Sequence, residues 1–167
     1  MLLHVVRHAI AFDRDPLRWP DDRQRPLTPA GEKRFQRAAQ GLHRLGVQVD
    51  LVLSSRYVRA WQTAEILQRV AGWPAPVACE ALESGHDPPA ILEALRQHHG
   101  TTALAVVGHE PTLHELVSYL LTGDAELAAV EFRKGSVARL QLGAGVVPGR
   151  ATLLWQATPK LLRAMRR

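Results

Sequence analysis

The sequence has a single cysteine, Cys79, so no disulfide can form within the chain. A reducing compartment, the cytoplasm, is the expected location. Aromatic residues make up only 5%. No basic run is interleaved with them, and no nucleic-acid-binding motif is recognisable. Lysine is scarce: of 21 basic residues, 18 are arginine and only Lys33, Lys134 and Lys160 are lysine. No apolar run approaches the ~20 residues that a membrane-spanning helix needs; clean runs are as short as Ala103 to Val107. Met1 to Phe12 is apolar but broken by Arg7. It has neither a basic leader nor a small-residue cleavage site, so it does not read as a signal peptide. Internal repeats, low-complexity tracts and linkers are missing too.

What is there is an ordinary globular mixture, 46% hydrophobic and 22% charged over 167 residues. That composition argues against disorder, and the length suits one domain, residues 1–167. A chain of this size buries about 70% of its unfolded surface and needs no disulfide or structural metal as a staple. The formal net charge is +5. Because the arginines are spread along the whole chain, the excess reads as compositional bias. Neither nucleic acid nor membrane is an expected partner, and the chain is expected to be a monomer.

Strand-like and helix-like segments alternate. Leu2 to Val6 reads as a buried strand. Thr28 caps a helix with Pro29 at its first position; Phe35, Ala38, Ala39, Leu42 and Leu45 fall at helical spacing, and Gly46 ends it. Leu51 to Leu53 is a second strand. A second helix carries Ala60, Ala64, Leu67 and Val70 and stops at Gly72 and Pro74. A weak strand near Val77 follows, then a helix opened by Asp87 and Pro88 with Ile91, Leu92 and Leu95 inward. Ala103 to Val107 is the clearest buried strand, and Pro111 opens a helix carrying Leu113, Leu116, Val117 and Leu120. Val137 to Leu142 and Thr152 to Trp155 read as strands, and Thr158-Pro159 caps a short last helix. This alternation predicts an α/β fold: a three-layer α/β/α domain with a mostly parallel central sheet. The one long irregular stretch, Ala11 to Pro26, is charged and suits a substrate-side loop.

Two apolar strands end alike, one in Val5-Val6-Arg7-His8, the other in Val106-Val107-Gly108-His109. Ligands of open α/β sheets sit at the carboxyl ends of the strands. Two histidines 101 positions apart are therefore placed to face each other. The second strand ends in Ser54-Ser55-Arg56-Tyr57-Val58-Arg59, with Arg59 in the first turn of a helix. Arginine stays charged and grips phosphate oxygens as a fork, and a helix N-terminus adds backbone donors. The set suits a dianionic phosphoryl group.

The same residues carry a family resemblance. Arg7-His8-Ala9 resembles the Arg-His-Gly signature of the histidine phosphatase superfamily, whose fold is phosphoglycerate mutase-like. Ser54 to Ala64 resembles its second motif and Gly108-His109 its third. Arg25 to Gly31, Lys134 to Ala138 and Thr158 to Leu162 are most similar to the SixA-type phosphohistidine phosphatases, as is the small size. The resemblance implies that His8 is the nucleophile and forms a covalent phosphohistidine, its second nitrogen donating to a backbone carbonyl. It implies that Arg7 and Arg59 hold the phosphoryl oxygens, with His109 sharing that work as a cation. No metal or other cofactor is expected, because arginine and histidine supply the positive charge. Position 9 is Ala where the signature has Gly, and position 56 is Arg where Pro is usual, which adds charge near the site. Mutase-type members carry an acidic proton donor after the third strand. Glu83 is the nearest match here, with Asp87 and Glu110 behind it.

The poor match at the acid bears on substrate. An alkyl phosphate has a basic leaving group and wants a general acid; a phosphohistidine has a less basic one. The expected reaction is removal of a phosphoryl group from protein phosphohistidine. The expected partner is thus a phosphohistidine-bearing protein or a small phosphorylated substrate. The alternatives are the same chemistry on a sugar phosphate or nucleotide, and a catalytically weak phospho-binding module. Zinc is rejected at His109, Glu110 and His114, because five-residue spacing across Pro111 does not put two histidines on one helix face. Cys79 and Trp61 read as core. His4 reads as packed in its strand, and His43, His86, His98, His99 and His114 as surface or cap residues.

Overall fold

A computed structural model describes residues 1–165; Arg166 and Arg167, part of the one-domain reading, lie outside the described residues. One six-stranded sheet organises the chain. Strands β1 (Leu2–Arg7), β2 (Leu51–Ser54), β3 (Pro76–Ala78) and β4 (Ala103–Gly108) run parallel. β5 (Val137–Gln141) lies antiparallel to β1, and β6 (Thr152–Ala157) antiparallel to β5. Their order across the sheet is β3-β2-β4-β1-β5-β6. β4, and β1 apart from His4 and its last residue Arg7, are apolar because helices cover both faces. With a period of two, Val6, Ala105 and Val107 meet one helical layer, while Leu3, Val5, Leu104 and Val106 meet the other.

The first layer holds α1 (Pro29–Arg44), α2 (Val58–Ile66) and α5 (Pro159–Ala164); the second holds α3 (Pro88–Arg96) and α4 (Thr112–Thr122). α2 runs on into a wider π turn over Leu67–Ala71. The predicted caps are in place. Thr28 Oγ1 accepts from the Gly31 amide at 2.9 Å, and Asp87 Oδ1 from the Ala90 amide at 3.1 Å. Thr158 Oγ1 accepts from Leu161 at 3.4 Å. Among the described residues, no helix is long and apolar enough to cross a membrane.

Some expectations differ from what is seen. Leu45 is 48% exposed, because α1 ends at Arg44 and the chain turns away at Gly46. Trp61 and Cys79 are half-buried, not core; Cys79 packs on the rim of the second layer, where burial pushes its thiol upward. The unflagged Trp73 is the buried tryptophan, its indole N–H donating to the Val47 carbonyl at 2.9 Å. Pro111 precedes α4 instead of opening it, and several strands run a residue or two past their predicted ends.

α1 and α5 touch at backbone distance. A Cβ on Gly41 would lie 2.0 Å from the Leu162 carbonyl oxygen, a contact that backbone cannot relieve by rotating. His4 sits on the same face as Val6, between the rings of Trp73 (5.9 Å) and Trp155 (6.2 Å) and opposite Arg139 of β5. Burial, then the Arg139 charge, lowers its pKa to about 4.

Two outcomes follow from this packing. Gly41→Ala should cost roughly 1–3 kcal/mol by urea denaturation, the penalty of an overpacked contact; an unchanged midpoint would contradict the close approach. For His4, both folded and unfolded states are neutral above pH 6.5. Below that the unfolded chain takes up a proton that the folded chain refuses until about pH 4. Stability should therefore drop as pH falls from 6.5 toward 4, with a limiting slope of about 1.4 kcal/mol per pH unit. Denaturation midpoints of wild type and His4→Leu between pH 7.5 and 5 should show a shallower fall in the variant.

Candidate active site

β1 and β4 lie side by side with Arg7 opposite Gly108. The chain leaves β1 toward α1 on one face and leaves β4 toward α4 on the other. Divergence at neighbouring carboxyl ends opens the crevice that such sheets use for ligands. His8 and His109 stand in it as next residues on the two strands, tied by the His8 amide donating to the Gly108 carbonyl at 3.0 Å. Their ring centroids are 5.2 Å apart, and they are 6% and 3% exposed. The expected juxtaposition across 101 positions is thus present.

His8 Nδ1 lies 2.7 Å from the Ala9 carbonyl oxygen. A carbonyl only accepts, so Nδ1 carries the proton and Nε2 holds the lone pair. Burial lowers the His8 pKa to about 3, against the Ala9 hydrogen bond, with Arg59, Arg7 and Lys134 adding to the fall. The ring is neutral at physiological pH. His109 is brought to about 2 by burial, then by His8 and Arg59. The cationic His109 that the resemblance implies is therefore replaced by a neutral imidazole in the unliganded protein. Its Nε2 is 2.9 Å from Ser55 Oγ, which also accepts the Tyr57 amide at 3.2 Å. The Tyr57 ring packs 4.8 Å from His109.

Arg59 enters from the first turn of α2 and is 4% exposed. One Nη donates to the Asp22 carbonyl at 2.8 Å and the other meets the Asp22 carboxylate at 3.0 Å. Its Nε is buried without a protein partner, and its guanidinium stands 5.0 Å from the Tyr57 ring centroid. One turn on, Thr63 Oγ1 accepts the Ala9 amide at 3.0 Å and donates to the Arg59 carbonyl at 2.7 Å. That hydroxyl fastens α2 to the segment bearing His8. Arg7, at the end of β1, donates to the Phe132 carbonyl and also has a buried, unpartnered Nε. Burial lowers both arginines, against the pull of Asp22 on Arg59 and of Glu110 on Arg7.

The irregular stretch before α1 is tied into the site. Asp22, in a 3-10 turn over Asp22–Gln24, also pairs with Arg25 at 2.8 Å, and Arg25 reaches the Phe12 carbonyl at 2.6 Å. Gln62 of α2 accepts the Leu27 amide at 2.8 Å. A close Gly31 completes the junction: its Cβ would meet the Ile10 carbonyl oxygen at 2.1 Å. Glu83 is well covered, and its nearest cation is the exposed Arg56 at 3.9 Å. Glu110 lies elsewhere, on the wall of a cleft of about 720 Å³ that opens beside Arg7. His114 turns its Nδ1 to the Val130 carbonyl at 2.9 Å.

Two neutral imidazoles 5.2 Å apart thus stand within reach of the Arg59 and Arg7 charges, an arrangement suited to a tetrahedral oxyanion. Ser55, Tyr57 and Thr63 belong to a motif visible in the sequence, but their roles appear only in contacts. Asp22 carries no local signal, since its partner is 37 positions away.

Comparisons with other proteins place the chain in a family. Residues 3–83 match the family described as the histidine phosphatase superfamily (branch 1). An uncharacterised protein of Picosynechococcus sp. is 34% identical over 146 residues, covering 86% of this chain and 87% of that one. An uncharacterised protein of Mycobacterium tuberculosis is 32% identical over 165 residues, covering 93% of this chain and all (100%) of that one. Among solved structures, the protein histidine phosphatase SixA complexed with tungstate superposes with a TM-score of 0.83 at 25% identity, covering 96% of this chain and 98% of that one. The chain belongs to branch 1 of the histidine phosphatase superfamily and is SixA-like within it.

Proposed function

We propose that the protein is a phosphatase that takes the phosphoryl group of a protein phosphohistidine onto His8 and passes it to water. The observation that carries this reading is the Nδ1 contact of His8 with the Ala9 carbonyl at 2.7 Å, which leaves Nε2 as a free lone pair on a neutral ring. In the first step Nε2 forms a bond to phosphorus while the bond to the leaving group breaks, its electron pair going to the leaving atom. In the second, water forms the new P–O bond and the pair of the P–Nε2 bond returns to His8. Arg7 and Arg59 hold the non-bridging oxygens, each with a buried Nε–H that has no partner among the described residues, and their permanent charge offsets that of the phosphoryl group. The reading requires no metal.

In this reading the Ser55 hydroxyl donates to His109. It already accepts the Tyr57 amide, and its single proton directed at Nε2 leaves Nδ1–H, buried and unpartnered, as a donor to the phosphoryl group. The substrate class is supported by the SixA likeness. A small phosphomonoester is the second reading, favoured by the cleft of about 720 Å³ beside Arg7, a volume ordinary for small-molecule sites.

His8→Ala should keep its fold and lose turnover by roughly a thousandfold or more, as loss of a nucleophile does. Acid-labile, base-stable phosphate should be trapped on the wild type only, and activity should survive EDTA. Full activity in His8→Ala would sink the mechanism. A second outcome concerns Asp22. Because it holds both Nη groups of Arg59, Asp22→Ala should lower kcat/KM for an aryl phosphate about tenfold, in the range of a lost charge-assisted contact. The Asp22→Ala/Arg59→Ala double variant should be no worse than Arg59→Ala alone, whereas additive losses would mean that Asp22 acts independently of Arg59.

A further inference from the structure

We infer that Glu110 is the proton donor to the leaving group, and that the leaving group lies in the cleft beside Arg7. This rests on the phosphatase reading and names a residue for a task that the four central side chains leave unfilled. Arg7 and Arg59 cannot release a proton, the Nδ1 proton of His8 is held by Ala9, and the N–H of the neutral His109 ring is far too weak an acid to protonate a leaving group. The acid must come from elsewhere.

Glu110 directly follows His109 where the chain leaves β4 for α4. It shares the cleft walls with Arg7, His114, Phe132, Arg133 and Lys134. Arg7 lines this cleft, and its charge reaches both Glu110 and His8. The carboxyl is half-buried, and its Oε1 is buried with no partner among the described residues. An orphaned oxygen of this kind is costly unless something else occupies it. Burial pushes the Glu110 carboxyl above the usual range, against the Arg7 and His114 charges and the His114 amide, with Glu115 adding to the rise. Glu131, Arg133 and Lys134 face the same space from the segment before β5. Glu83 has none of these features: its cation is Arg56, and it is absent from the cleft wall.

The step balances simply. As Nε2 of His8 bonds to phosphorus and the leaving atom takes the old bond's electron pair, the Glu110 O–H gives that leaving group its proton and becomes a carboxylate. In the second step the carboxylate takes a proton from the attacking water, restoring the acid. General acids contribute about 10²–10⁴-fold, and most where the leaving group is basic.

The test is kcat/KM on aryl phosphates of graded leaving-group basicity, for wild type, Glu110→Gln and Glu83→Gln, with thermal melts to confirm folding. Glu110→Gln should stay within a few-fold of wild type on the most acidic phenol and fall roughly a hundredfold or more on phenyl phosphate. With phenyl phosphate, wild-type kcat/KM should decline as rising pH strips the acid, and that limb should vanish in Glu110→Gln. Should Glu110→Gln fail to fold, Glu110→Asp carries the test, with a smaller loss graded in the same way. An equal loss on every substrate would make Glu110 a mere support for Arg7 and overturn the inference, as would a graded loss in Glu83→Gln instead. An inactive wild type would overturn the phosphatase reading itself, a result distinct from either.

Discussion

The site depends on one constraint, the parallel register of β1 on β4. Arg7 pairs with Gly108, so the next residue on each strand is a histidine. A slip of one residue would turn every side chain of β1 to the other face of the sheet. Both faces are buried, so His4 and Val6 would exchange layers with Leu3 and Val5 at heavy cost. The apolar core thus fixes the spacing of two imidazoles that contribute little to it. Gly108 suits this junction, since a Cβ there would press on Leu113 at 3.3 Å.

Around that register the charges are arranged so that none is abandoned. A buried guanidinium is expensive without a partner. Arg59 has the Asp22 carboxylate and carbonyl; Arg7 has the Phe132 carbonyl. In both, Nε remains unpartnered. Both outer nitrogens of Arg59 are paired and one of Arg7 is. Thr63, Ser55 and Gln62 perform the same service for the backbone and the rings, using short side chains that leave little slack.

Much of this was legible in the sequence. Apolar runs marked the strands, and Thr28, Asp87 and Thr158 marked helix starts through a chemistry that needs only neighbours. Two strand ends with the same Xaa-His pattern pointed to one edge of the sheet. What escaped depended on partners far along the chain. Asp22 sits in a segment with no period, and nothing nearby identifies Arg59 as its mate. Trp73 was overlooked and Leu45 misplaced, because one residue past a helix end the periodic argument no longer holds. The neutrality of His109 follows from burial that no motif records. Glu83 ranks above Glu110 by its likeness to the mutase-type donor, whereas the cleft beside Arg7 is lined by Glu110 and not by Glu83.

The low basicity of the two site histidines has a consequence for how the pocket meets its ligand. Between about pH 5 and 9 neither His8 nor His109 changes charge, and arginine does not titrate in proteins. The electric field of these four side chains is therefore constant over the whole range in which a phosphate monoester passes from monoanion to dianion, near pH ~6. Ionisation of the ligand, and not of its phosphoryl-binding residues, governs how strongly the two attract.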